Sequence, residues 1–158
     1  MEKSYYKSPI GILEIICNNN ILVSLKLVDC CEKTTVETNF IKDMKNQLDE
    51  YFSGKRKVFD IKINPKGTDF QKLVWKELQK IQYGETKSYS EIATDIGNQN
   101  AQRAVGSACN KNPIMIIIPC HRVISKNGKI GGFAYGNSIK QKLLEVENSV
   151  FGNFPLLV

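Results

Sequence analysis

The sequence predicts an α/β protein in two parts, a small N-terminal sheet with one helix and a mostly helical C-terminal domain containing a helix-turn-helix. Three observations predict this. Residues 1–65 hold short apolar runs separated by Asn and Gly at strand spacing, whereas residues 68–148 repeat apolar positions at i, i+3, i+4 and i+7. Between the two patterns, Asn64-Pro65-Lys66-Gly67 stacks chain breakers, which sets the expected domains at 1–65 and 66–158.

Each element follows from local pattern. Gly11 to Cys17 and Ile21 to Val28 are apolar runs flanking Asn18-Asn19-Asn20, and asparagine tolerates the positive φ of a tight hairpin. In the second run Ile21, Val23, Leu25 and Leu27 alternate with Ser24 and Lys26, which predicts one buried face. Phe40, Met44, Leu48 and Tyr51 give a helix that Ser53-Gly54 stops, and Val58 to Ile63 reads as a further strand. Thr68-Asp69-Phe70-Gln71 has the form of a capping box, followed by Phe70, Leu73, Val74, Leu78 and Ile81 on one face. Ser88-Tyr89-Ser90-Glu91 is a second box, opening a short helix with apolar residues Tyr89, Ile92, Ala93 and Ile96 that Gly97 closes. Ala101, Ala104, Val105 and Ala108 then form the inner stripe of another helix, leaving Gln102, Arg103 and Ser107 exposed. Two short helices joined by a tight turn are a helix-turn-helix. Ser125 to Gly132 is a glycine-rich loop, and a last helix starts near Asn137 and buries Ile139, Leu143 and Val146.

Bulk properties narrow the function. The longest apolar run, Ile114 to Pro119, is too short to span a bilayer, and Met1-Glu2-Lys3-Ser4 is not the start of a secretory signal, so a cytoplasmic location is expected. Five cysteines without regular spacing read as free thiols, with Cys17, Cys30 and Cys31 buried or incidental. With one histidine and no C-x-x-C pair, no metal site is expected. Net charge is +1 over residues 1–65 and +5 over residues 66–158. That excess suggests a polyanionic partner, the plainer reading being a solvated lysine surface.

The sole histidine stands in Ile118-Pro119-Cys120-His121-Arg122-Val123, directly after a cysteine. Neighbouring imidazole and guanidinium groups favour a thiolate, which makes Cys120 the candidate nucleophile. Consecutive residues of an extended strand point to opposite faces, so contact between Cys120 and His121 requires a bend, which Pro119 offers, or a bridging water. A helix-turn-helix with an exposed Arg103 on its small-sided second helix points to DNA at that helix. A nucleophilic thiol on such a module points to chemistry on an extruded base, with an arginine filling the gap in the stack.

These residues resemble the O6-alkylguanine-DNA alkyltransferases, the methylated-DNA–protein-cysteine methyltransferases. The resemblance covers about residues 68–148. It rests on Ile118 to Val123, Asn112-Pro113, Arg103-Ala104-Val105-Gly106, Gly84-Glu85 with Ser88-Tyr89, and Lys142-Leu143-Leu144 leading to Glu147. It implies a ribonuclease H-like N-terminal domain and a winged-helix-like C-terminal domain. The implied activity is a single, irreversible transfer of the alkyl group of O6-alkylguanine, and of O4-alkylthymine, to Cys120. His121 would accept the thiol proton through a water held between it and Glu147, Asn112 would orient the site, and Tyr89 would donate toward guanine N3. Arg103 would replace the flipped base, beside Gln102, Ala104 and Ser107 on the DNA face. Pro119, Val123, Phe133 and Ala134 would line the pocket beneath the loop Gly131 to Ala134. The partner implied is duplex DNA, bound by a monomer without metal or cofactor.

Plainer readings stand beside these. Tyr89 also reads as core, Asn112 before Pro113 as a helix stop, Glu147 as solvated and Arg103 as an ordinary surface charge. Many relatives carry tyrosine and serine where this chain has Phe133 and Ala134, so a hydroxyl contact to O6 from that loop is missing. Three other functions would each demand a feature of their own. An alkyltransferase-like damage-binding protein would lack a cysteine at Cys120. A transcriptional regulator would need base-reading side chains where α-helical alanine, glycine and serine stand. A cysteine hydrolase would need an oxyanion hole and a deacylating water.

Overall fold

The computed structural model describes residues 1–147, which fall into two compact units divided between Lys66 and Gly67. In the first unit, β1 (Glu2–Ser8), β2 (Gly11–Asn18) and β3 (Ile21–Val28) form an antiparallel sheet in the order β1-β2-β3. Asn19 and Asn20 have φ of 51° and 62°, the two successive positive values that a two-residue hairpin turn demands. The alternation expected in β3 is broken: Leu22 pairs with Cys17 and Ser24 with Ile16, leaving Val23 as the extra residue of a bulge. With the bulge the buried positions of β3 are Leu22 and Leu25, so that of the expected Ile21, Val23, Leu25 and Leu27 only Leu25 is fully buried. Helix α1 (Asn39–Phe52), capped by the Thr38 hydroxyl accepting from Ile41 N–H, buries Ile41, Met44, Leu48 and Tyr51. Val58 to Ile63 is not a strand. It touches the sheet through one parallel bridge, Ile63 to Leu22, made by Leu22 N to Lys62 O and Asn64 N to Leu22 O at 2.9 Å each.

The second unit contains α2 (Asp69–Leu78), β4 (Lys87–Ser88), α3 (Tyr89–Asp95), α4 (Gln102–Asn110), β5 (Val123–Ile124) and α5 (Asn137–Val146). Both expected capping boxes form, Thr68 with Gln71 and Ser88 with Glu91. In α2 the inner face is Val74, Trp75 and Leu78 rather than one that includes Leu73, which is 47% exposed. Trp75 takes that place because its indole donates to Ala108 O of α4 at 2.8 Å, tying the two helices together. On α4, Val105, Ala108 and Cys109 are buried and Ala104 is exposed, contrary to its expected place in the inner stripe. On α5 Lys140, Gln141, Leu143 and Leu144 are buried, as is the C-cap residue Glu147, with Ile139 and Val146 only half-buried. The two-residue strands β4 and β5 pair in parallel, Lys87 with Val123 and Ser88 with Ile124, and this brings the start of α3 beside the Cys120 segment. No helix among the described residues is long and apolar enough to cross a membrane.

Candidate active site

Cys120 is delivered by two tight turns. Ile117 N donates to Met115 O at 2.8 Å around Ile116, whose φ is +72°. This is the γ-turn of positive φ, a strained conformation and a rare one for a β-branched residue. Cys120 N then donates to Ile118 O at 2.8 Å around Pro119, with φ −84° and ψ 63°, an inverse γ-turn. The chain enters a single 3₁₀ turn, Cys120–Arg122, so Cys120 and His121 are not successive residues of an extended strand. The Pro119 bend is therefore present.

The thiol is 4% exposed and accepts a hydrogen bond from Asn112 Nδ2 at 3.1 Å. Asn112 is fully engaged: Nδ2 also donates to Ile118 O at 2.8 Å, and Oδ1 accepts from Ile114 N at 2.9 Å. Its side chain thus fixes both ends of the strained segment and touches the sulfur. Burial pushes the Cys120 thiol above its ordinary value, against the opposing pull of the Asn112 hydrogen bond and the Lys140 charge. This corrects the expectation that imidazole and guanidinium hold a resting thiolate: burial dominates, and the groups opposing it are Asn112, Lys140 and backbone donors.

His121, Arg122 and Glu147 form a buried cluster. Glu147, 2% exposed rather than solvated, receives the Arg122 fork through Nε at 2.8 Å and Nη2 at 3.0 Å, while Nη1 donates to Ile81 O at 2.7 Å. The guanidinium therefore serves Glu147, not Cys120. His121 Nε2 lies 2.6 Å from Glu147 Oε2, a direct hydrogen bond where a water-mediated one was expected. Burial raises the Glu147 pKa, but His121 and Arg122 outweigh it and hold the carboxyl well below the usual carboxylate range. An ionised carboxylate can only accept, so Nε2 carries a proton and donates to Glu147. Nδ1 is buried and has no protein partner among the described residues.

Two participants escaped the sequence reading. Lys140 Nζ donates to Val123 O at 2.5 Å and Gly132 O at 3.0 Å, and lies 5.9 Å from the centre of the Tyr89 ring. Burial lowers its pKa to about 8, while Cys120 and Cys109 pull the other way. The available signal was periodicity, because a lysine at position 140 falls on the inner stripe of Leu143, Leu144 and Glu147. Cys109, on α4, is a second buried thiol whose pKa burial raises. Ile116 left no sequence signal, since its strain is imposed by the surrounding turns.

The other expected positions divide. Half-buried Tyr89 donates to Gly132 O at 3.3 Å, and burial with Cys109 and Cys120 nearby raises its phenol to about 12. Pro119 and Val123 are buried, Phe133 stacks edge-on to Tyr135 with centroids 5.8 Å apart, and Ala134 is exposed. Gln102, Arg103, Ala104 and Ser107 form the exposed face of α4. Gly106 lies on the same helix, where an added Cβ would sit 3.9 Å from the Tyr89 ring. Cys17 is buried, while Cys30 and Cys31 are exposed. Among the described residues no group of three His, Cys, Asp or Glu side chains could hold a metal ion.

Known proteins match the chain over nearly all its length. The family described as 6-O-methylguanine DNA methyltransferase, ribonuclease-like domain, matches residues 1–65, and that described as 6-O-methylguanine DNA methyltransferase, DNA binding domain, matches residues 69–149. The methylated-DNA–protein-cysteine methyltransferase of Methanosarcina acetivorans is 44% identical, over 94% of this chain and 99% of its own. The crystal structure of Mycobacterium tuberculosis O6-methylguanine methyltransferase superposes with a TM-score of 0.84 at 40% identity, covering 98% of this chain and 94% of that one. The structure of the M. tuberculosis protein OGT in complex with DNA superposes equally well, with a TM-score of 0.84 at 38% identity over 96% and 97% of the two chains. With both domain families matched in order over residues 1–65 and 69–149, and a relative 44% identical over 94% of the chain's length, this chain belongs to the 6-O-methylguanine DNA methyltransferase family.

Proposed function

We propose that the protein repairs O6-alkylguanine in duplex DNA by moving the alkyl group irreversibly to its own Cys120. The observation that carries this is the buried thiol held by Asn112, next in sequence to a buried histidine whose Nε2 is bonded to Glu147 and whose Nδ1 has no protein partner among the described residues. At rest the sulfur is protonated. When the lesion arrives, the proton passes through one water to His121 Nδ1, and the imidazolium is stabilised by Glu147, itself held by Arg122. The thiolate attacks the alkyl carbon in line, the C–O6 bond breaks, and the O6 electron pair returns to the purine. Tyr89, its phenol still protonated at neutral pH, leaves Gly132 O and donates toward guanine N3, so that the base departs neutral. The product thioether is a stable sulfide with no leaving path, so each molecule acts once.

The duplex-bound face is α4, where Gln102, Ala104 and Ser107 flank Arg103. Extruding the base costs a few kcal/mol of lost stacking and pairing, which insertion of Arg103 offsets in part. Val123, Pro119 and the Phe133-Ala134 loop shape the pocket, and O4-alkylthymine presents the same alkyl–oxygen bond. The protein works in the cytoplasm as a monomer, with duplex DNA as its partner.

The test uses Cys120→Ser. This variant should still bind an oligonucleotide duplex containing O6-methylguanine yet leave the lesion intact, whereas the native chain should restore guanine. Restoration by the variant would refute the proposal.

A further inference from the structure

The turn after β5 carries a cation that the reaction does not use. Ser125, Lys126, Asn127, Gly128 and Lys129 form a closed hairpin loop: Ser125 N donates to Lys129 O and Gly128 N to Ser125 O, both at 3.0 Å, and Asn127 Oδ1 accepts from Lys129 N at 3.1 Å. Gly128, with φ +81°, permits the turn. Its backbone is held by these bonds, and Lys126 on it is exposed.

Three surface grooves meet at this point, and Lys126 and Ser90 line all of them. One groove also includes Tyr89, Gln102, Arg103 and Ser125, so it runs from the hairpin to the exposed face of α4. The charges around it are already accounted for. Asp95 is paired with Lys87 at 2.7 Å, and Glu91 is occupied by its capping box with Ser88 N at 3.3 Å. Neither Lys126 nor Arg103 has an ion-pair partner among the described residues. Two unpaired cations therefore bracket a groove into which the hydroxyls of Ser90 and Ser125 and the amide of Gln102 also project, groups that bind a phosphodiester from above a largely apolar floor.

We propose that Lys126, with the Ser90 hydroxyl beside it, grips a backbone phosphate of the duplex and sets the register in which Arg103 meets the lesion. This rests on the duplex reading above. Lys126 is a positioning residue: it acts through a sequence-independent ionic contact, and touches neither the alkyl group nor the thiol.

The experiment measures binding of Lys126→Ala and Lys129→Ala to duplex DNA across a salt series, with reaction of free O6-benzylguanine at Cys120 in parallel. Loss of one phosphate contact should reduce the log-log salt slope by about 0.9, a change of about eightfold in relative affinity between 0.1 and 1 M salt. Lys126→Ala should show that drop with both damaged and undamaged duplex. Its reaction with the free base should match the native rate, and Lys126→Arg should restore the slope. Lys129→Ala removes equal charge from the same turn but lines none of the three grooves, and should change the slope less. An unchanged slope in Lys126→Ala, an equal drop in Lys129→Ala, or a parallel loss with free base would each overturn the assignment. If the native chain modifies itself with free base but binds no duplex, the duplex reading fails instead.

Discussion

The two units bury different chemistry. In residues 1–66 the described core is apolar, with Leu13, Ile15, Leu22, Leu25, Met44 and Leu48 wholly inaccessible and Ser4 and Gln47 the described buried polar side chains. From Gly67 onward the described core encloses His121, Arg122, Lys140 and Glu147, all ionisable. Burying an apolar side chain stabilises by about 1.5–3 kcal/mol, whereas a buried charge contributes only when its partners offset desolvation. The first unit is thus held together by apolar burial. The second holds charges that a hydrophobic core of the same volume would not need: Glu147 binds His121 and Arg122, and the Lys140 charge acts on the Cys120 thiol.

Breaking the charge cluster should give the largest effect. Glu147→Gln leaves Arg122 buried without its counter-charge and removes the acceptor that orients His121, at a cost of about 3–5 kcal/mol. Trp75, the single tryptophan and 1% exposed, reports unfolding of this unit by fluorescence. The pH dependence has a defined sign. A carboxyl depressed in the folded state stabilises fully above its unfolded pKa of about 4.3 and loses that contribution as pH falls through its folded value. The native advantage over Glu147→Gln should therefore be complete above about pH 4.3 and shrink below it in urea titrations.

Next come the groups that oppose burial at the sulfur. Asn112→Ala removes two donor contacts and leaves Ile114 N without its acceptor, costing about 1–3 kcal/mol. Because the Asn112 bond lowers the Cys120 pKa, its loss should move the rate of thiol alkylation by O6-benzylguanine to higher pH. Lys140→Met should move the profile in the same direction by less, as its charge is the weaker of the two influences. A profile that stays in place in both variants would dissociate these residues from the thiol.

The smallest stability effect is expected at the exposed face. Arg103→Ala should change unfolding by less than about 0.5 kcal/mol. Duplex repair should nonetheless fall far more than reaction with free O6-benzylguanine, and equal losses would remove Arg103 from base extrusion.

The sequence showed most where one residue's chemistry is local. Thr68 with Gln71 and Ser88 with Glu91 cap helices as their spacing requires, and the Asn19-Asn20 hairpin follows from φ tolerance alone. Pairing that depends on distant chain was harder to read. β1 is polar at Lys3, Ser4 and Lys7 and is defined only by its register with β2. The β3 bulge reverses an alternation that looked regular, and Val58 to Ile63 meets the sheet at one residue. At the site, Cys120 and His121 were evident from adjacency, but the Glu147 carboxylate lies 26 residues from His121 and its burial depends on packing of α5. The ionisation of Cys120 could not be read from neighbours in sequence, because desolvation is a property of the folded core.

The most direct test is stoichiometry. A fixed quantity of protein is titrated with excess duplex bearing O6-methylguanine, and restored guanine is counted while tryptic peptides are weighed. Restoration should stop at one guanine per chain, with a single methyl on the peptide that contains Cys120. Continued restoration beyond that point, or a methyl-free Cys120 peptide after repair, would contradict the account.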